Sequence, residues 1–129
     1  MKFQTLGVAA FILASGFFGC RQEAVDIMIV LPNNLRGEFI LREGSGTSEI
    51  NTSSDRILIT LLGNDPFEVS DLSMFTRWYR LTAVFSDGTR VPNANSAPNA
   101  QPDDLVIQVL GLSSDRKLRL QIVEFREIM

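Results

Sequence analysis

Apolar residues in this chain fall into short runs rich in β-branched side chains, each closed by Gly, Pro, Asn or Asp, and that punctuation favours strands over long helices. Asp26 to Leu31 is almost continuously apolar and suits a central strand covered on both faces. Pro32 to Gly37 turns the chain, because Pro cannot continue a ladder and Asn and Gly tolerate positive φ. Glu38 to Glu43 alternates weakly, and Gly44 to Ser54 reads as a polar loop. Arg56 to Leu62 is a clear strand with Ile57, Ile59 and Leu61 on one face. Asp71 to Phe75 has room for one helical turn. Phe75 to Phe85 reads as a long strand whose odd positions, Phe75, Arg77, Tyr79, Leu81, Ala83 and Phe85, form the core face. Asp87-Gly88 is a two-residue hairpin signal. Pro92 to Asp104, rich in Asn, Ala and Pro, reads as an exposed loop. Leu105 to Leu110 and Lys117 to Phe125 close the chain as a hairpin. Together these segments predict an all-β fold, a single small β-sandwich of about six or seven antiparallel strands, with a barrel as the alternative.

Several chemistries are excluded by what the chain lacks. Cys20 is the sole cysteine, so no intramolecular disulfide forms. There is no histidine, which removes Ser-His-Asp and Cys-His catalysis and the common His-containing zinc sites. The net charge is −3, and losing Lys2 with the leader described next makes it one unit more negative. A mildly acidic chain offers no electrostatic basis for nucleic-acid binding, and no polybasic run holds anionic lipid. No cofactor-binding loop or metal motif is present, and the expectation is a non-enzymatic protein without a cofactor.

The first residues form a leader. Lys2 supplies a positive start, and Leu6 to Phe18 is an apolar stretch shorter than the roughly 20 residues that a bilayer core requires. Polar Arg21-Gln22-Glu23 follows Gly19-Cys20. The run Phe17-Phe18-Gly19-Cys20 resembles the lipobox of bacterial lipoproteins: Gly19 and Cys20 match, whereas Leu is usual where Phe17 stands and a small residue where Phe18 stands. The resemblance implies cleavage before Cys20, a diacylglyceryl thioether on its sulfur and an N-acyl chain. It also implies an outer-membrane address, because Arg21 stands where inner-membrane retention in enteric bacteria uses Asp. Ordinary secretory cleavage after Ala14-Ser15-Gly16 is the rival, and it would leave Cys20 as an unpaired thiol. The expected organisation is a signal peptide over 1–19, a short lipid-anchored tether over 20–24 and the β domain over 25–129.

Ile29-Val30-Leu31-Pro32 followed by Arg36-Gly37-Glu38-Phe39 is similar to a strand–turn–strand opening of small, transthyretin-like β-sandwiches in uncharacterised bacterial lipoproteins. It covers about a dozen residues and implies a fold but no activity.

Among side chains that could carry a function, carboxylates come first. Asp103-Asp104 and the group Asp65, Glu68 and Asp71 could offer oxygen ligands to calcium, but neither has the spacing of a calcium loop, and solvated loop acids are the simpler expectation. Gly44-Ser45-Gly46-Thr47 has no Gly-Lys-Ser/Thr after it and reads as a hairpin tip, not a phosphate loop. Trp78 is the most suggestive residue, on the less apolar face with Arg80 two positions along. A second sheet or the Asn/Pro loop is expected to cover it. If exposed, Trp78 with Tyr79 and Arg80 forms a contact surface for a sugar or a protein partner. The expected role is that of an envelope lipoprotein, held to membrane lipid through acylated Cys20, with a structural or protein-interaction domain. A small carbohydrate- or peptidoglycan-binding module is the alternative.

Overall fold

The computed structural model describes residues 24–53 and 55–129, so the leader, Cys20 and residues 21–23 lie outside the described residues. Strand β1 (Val25–Leu31) lies at the centre of a five-stranded sheet, with a parallel neighbour on each side. The expectation that both of its faces are covered is corrected: Ile27, Ile29 and Leu31 are buried, whereas Asp26, Met28 and Val30 on the other face are only partly so. The following strands are β2 (Gly37–Glu43), β3 (Glu49–Thr52), β4 (Arg56–Thr60), β5 (Phe67–Val69), β6 (Tyr79–Phe85), β7 (Arg90–Val91), β8 (Leu105–Leu112) and β9 (Lys117–Glu124). The first sheet has the order β3-β4-β1-β6-β7 and the second β5-β2-β9-β8.

The core lies between the two sheets. Ile27, Ile29 and Leu31 of β1, Ile59 of β4, and Leu81, Ala83 and Phe85 of β6 supply one wall. Phe39 and Leu41 of β2, Phe67 and Val69 of β5, and Leu118, Leu120 and Ile122 of β9 supply the other. Single contacts stitch the sheets together at each side without closing a barrel. On one side the buried Ser48 donates its backbone N–H to the Glu68 carbonyl (2.9 Å) and accepts at Oγ from the Leu62 N–H (3.0 Å). On the other, Asn93 bridges Ile107, whose N–H donates to the Pro92 carbonyl at 2.9 Å.

The β-sandwich expectation holds in this broad sense, and its finer terms need correction. The described residues contain nine strands rather than six or seven, and both sheets are mixed rather than antiparallel. Parallel ladders join β1 to β4, β1 to β6 and β2 to β5. Part of the expected polar loop from Gly44 to Ser54 is strand β3, an edge strand whose one apolar residue, Ile50, is opposite Ile59. The expected long strand from Phe75 is two elements. Ser73–Thr76 is a 3-10 turn that buries Met74 and Phe75, and β6 begins only at Tyr79, so Arg77 is exposed in the link instead of facing the core. A hairpin does form at Asp87-Gly88, but its loop is three residues, Ser86 to Gly88, rather than two: the Phe85 N–H donates to the Thr89 carbonyl at 2.8 Å, and Gly88 has φ 95°.

Carboxylates hold the end of the sandwich near the 3-10 turn. Glu43 accepts from the Leu72 N–H at 2.8 Å and from Arg116 at 3.1 Å. The Leu72 bond, then Arg116, hold its carboxyl below the usual 4.5. Asp71 caps Ser73, whose backbone N–H donates to it at 2.9 Å, and this bond lowers its pKa too. A carboxyl whose pKa is depressed by folding contributes stability above its unfolded value, and that stability is lost as pH falls through the folded value. With no histidine in the chain, no side chain is expected to titrate across the neutral range. The melting temperature should therefore be flat between about pH 5 and 8 and fall once pH drops below the ordinary carboxylate range. Glu43→Gln should lower it at neutral pH and reduce the acid-dependent loss, as thermal melts across a pH series would show.

Candidate functional site

The start of β1 and the start of β6 are fastened together: the Val25 N–H donates to the Trp78 carbonyl at 2.9 Å. From there the two strands run in parallel register, Val25 opposite Tyr79 and Asp26 opposite Arg80, while on its other side Asp26 is opposite Arg56 of β4. A strand alternates its side chains, so burying Ile27 and Leu81 turns Asp26, Met28, Arg80 and Thr82 to the outer face of the sheet. An open groove of about 730 Å³ lies on that face.

Trp78 lies beside this groove with 72% of its surface exposed. The expectation that a sheet or loop would cover it is therefore corrected. The second sheet packs on the core side and brings only Val109 of β8 to the groove's lining, and the Pro92–Asp104 segment brings only Asn93, Asn95 and Ser96. Arg80 donates from Nε to Asp26 Oδ1 at 2.7 Å, an ion pair with both side chains substantially in solvent. The Arg80 hydrogen bond, more than any other cause, holds the Asp26 carboxyl below its ordinary range. Tyr79 also lines the groove, but its ring packs edge-on against Phe75, with centroids 5.2 Å apart and planes at 82°. Burial raises its pKa, so the phenol stays neutral.

The structure thus brings Trp78, Tyr79 and Arg80 to one place and adds three arginines that sequence reasoning missed. Arg77 precedes Trp78, Arg90 arrives on β7 through the β6–β7 hairpin opposite Val84, and Arg56 arrives through the parallel β1–β4 register. A two-residue Asp87-Gly88 turn would have set Arg90 opposite the buried Phe85, whereas the observed three-residue loop sets it opposite Val84 on the outer face. Arg56 could not be placed at all, because a parallel register leaves no local mark on the sequence. Arg77 and Arg90 form no ion pair among the described residues. Four guanidinium groups therefore line a groove with one carboxylate, Asp26, on a chain whose total charge is −3.

Four of the five acids considered as cation ligands, Asp65, Glu68, Asp71 and Asp104, are engaged in hydrogen bonds. Asp65 accepts from the Ile40 N–H at 2.9 Å, Glu68 pairs with Arg42 at 2.7 Å and with the Ser45 hydroxyl, and Asp104 accepts from the Gln101 N–H at 2.9 Å. Among the described residues no group of three or more Cys, Asp or Glu side chains is placed to hold a metal ion. Cys20, the predicted lipidation site, lies outside the described residues.

Chemically, the groove combines an indole, which stacks on flat or apolar surfaces, with guanidinium forks, which match carboxylate and phosphate oxygens in pairs. Asp26, ionised and bonded to Arg80, is not poised to accept a proton. Compared with known proteins, the chain matches no family model, no curated protein and no solved structure, and its role has to be read from the groove and the leader.

Proposed function

We propose that this chain is a bacterial envelope lipoprotein, anchored through acylated Cys20 with the outer membrane favoured, whose β domain works by non-enzymatic binding at the Trp78 groove. One observation carries this reading. A tryptophan is exposed beside Arg77 and Arg90, which form no ion pair among the described residues, on a chain of net charge −3. Trp and Arg dominate the energetics of contact surfaces, and excess cationic charge in one groove selects an anionic partner. The leader supports the address through its resemblance to the lipobox. A carbohydrate- or peptidoglycan-binding module is the second reading, favoured by Asn93, Asn95 and Ser96, which line the same groove as the indole and whose polar groups suit sugar hydroxyls.

Trp78 is the sole tryptophan, so the protein's indole emission reports on this groove alone. Titrating the intact protein in detergent with envelope fractions, namely total lipid, peptidoglycan fragments and extracted protein, should shift that emission to the blue with one fraction. The response should weaken in Arg77→Gln and Arg90→Gln, by about fivefold or more in half-saturating concentration if each guanidinium makes a charge-assisted contact. Emission that ignores all three fractions would refute the groove as a contact surface.

A further inference from the structure

We infer that the Trp78 groove docks the domain onto the phosphate layer of the leaflet that holds its own lipid anchor. The inference rests on the lipoprotein reading above and names the partner of the same groove.

Position is the first argument. The Val25–Trp78 backbone bond fixes Trp78 at the root of β1, where the tether enters the fold. From Cys20 to Val25 an extended chain reaches at most roughly 16–18 Å. An acyl-bearing Cys20 sits at the membrane surface, so the root of β1, with Trp78 bonded to it, stays within that reach of the headgroups. A soluble glycan or a protein approaching from the far side would have to enter a groove held close against the bilayer.

Charge is the second argument. Among the described residues Arg56, Arg77, Arg80 and Arg90 line this groove with one carboxylate, Asp26, although acids outnumber bases in the chain. Phosphodiester oxygens of net-anionic headgroups, which no choline in the same headgroup neutralises, supply the counter-charges, and a guanidinium fork meets them in pairs. The indole is the third argument. Tryptophan partitions to the boundary between headgroups and acyl chains, its ring in the apolar zone and its N–H in the polar one. An indole 72% exposed at the tether root suits that boundary. None of the four arginines lies in a run of basic residues, so the sequence lacks the polybasic signature of such a surface.

The test uses the intact lipidated protein, reconstituted into vesicles of phosphatidylcholine alone or with phosphatidylglycerol as a major component. Trp78 emission is read with acrylamide in the water and with lipids brominated near the carbonyl end of the acyl chain. In the phosphatidylglycerol vesicles emission should shift to the blue, bromolipid should quench it, and acrylamide quenching should fall severalfold relative to phosphatidylcholine. Arg77→Gln and Arg90→Gln should each lower the ratio of docked to undocked protein about fivefold, and added salt should do likewise. Neither residue has an ion-pair partner among the described residues, so both variants should keep the wild-type melting temperature. Equal acrylamide access in both vesicles would overturn the docking. So would a Trp78 response that appears only when peptidoglycan fragments or an envelope protein are added. Mass analysis of the N-terminal peptide separates the two levels: an unacylated peptide removes the anchor and the docking with it, whereas an acylated protein with an indifferent Trp78 removes the docking alone.

Discussion

Replacing Cys20 with serine is expected to abolish acylation completely. The acylated N-terminal peptide should disappear, and the protein should accumulate as an uncleaved precursor or as a soluble, misprocessed form. The wild type should partition into the detergent phase, with an N-terminal peptide heavier by its acyl chains. The effect is all-or-none because the sulfur of Cys20 is the only thiol in the chain, so no neighbouring residue can take over the modification. Its size follows from lipid partitioning. Burial of an acyl chain contributes about 0.8 kcal/mol per methylene, so one chain binds marginally and two or more hold a protein stably. The domain itself should be indifferent to the change, since β1 begins at Val25 and the core starts with Ile27. A Cys20→Ser protein made without the leader should therefore melt like the wild-type domain. A wild-type protein with an unmodified N-terminus at Phe17 would instead establish secretory cleavage after Gly16 and end the lipoprotein reading.

How much of the molecule was legible depended on whether a feature is local. The inner faces of β4 and β6 could be read from alternation, because Ile59, Leu81, Ala83 and Phe85 lie two apart and are buried. That a hairpin joins β6 to β7 could be read from Asp87-Gly88, but not its register, because the loop also takes in Ser86 and shifts the pairing by one residue. Strand β1 carried a subtler signal. Its continuous apolar run suggests cover on both faces, yet only Ile27, Ile29 and Leu31 are buried, and nothing in the run reports that its neighbours are parallel. The short elements carried too little signal. Phe67 and Val69 of β5 make a period of two over three residues, too few to distinguish from a loop, and β3 has one apolar residue. The groove shows the limit most clearly. Arg77, Trp78 and Arg80 are neighbours in sequence, whereas Arg56 joins them only through the β1–β4 register. Alternation puts Trp78 on the less apolar face, but whether another part of the chain covers that face depends on the path of distant segments such as Pro92 to Asp104, which one strand does not report.

Phe39→Ala should be the most damaging substitution within the domain. Phe39 is 1% exposed on β2, directly opposite Leu120 of β9, and its ring meets Phe67 edge-on at 6.1 Å with the planes at 86°. Truncating a buried phenylalanine costs about 3–5 kcal/mol, from lost transfer free energy and from the cavity left behind. The upper part of that range is expected here. Ladders to β5 and β9 hold β2 on both edges, so its backbone cannot move inward to fill the space. The loss also reaches β5, a strand of three residues that depends on Phe67 for its attachment to the core. Against a total stability of about 5–15 kcal/mol, this is a large fraction. For a domain of this size the melting temperature should fall by roughly 15–25 °C. Phe39→Leu, which keeps most of the volume, should lose less than half as much. The adjacent Glu38 gives the control: it is exposed on the outer face in an ion pair with Arg119, and such pairs contribute about 0–1 kcal/mol. Urea unfolding of Phe39→Ala, Phe39→Leu and Glu38→Ala would therefore read the facing of β2 directly. If Glu38→Ala proved as costly as Phe39→Ala, the inner and outer faces of β2 would have to be exchanged, and with them the register that places Leu120 and Phe67 in the core.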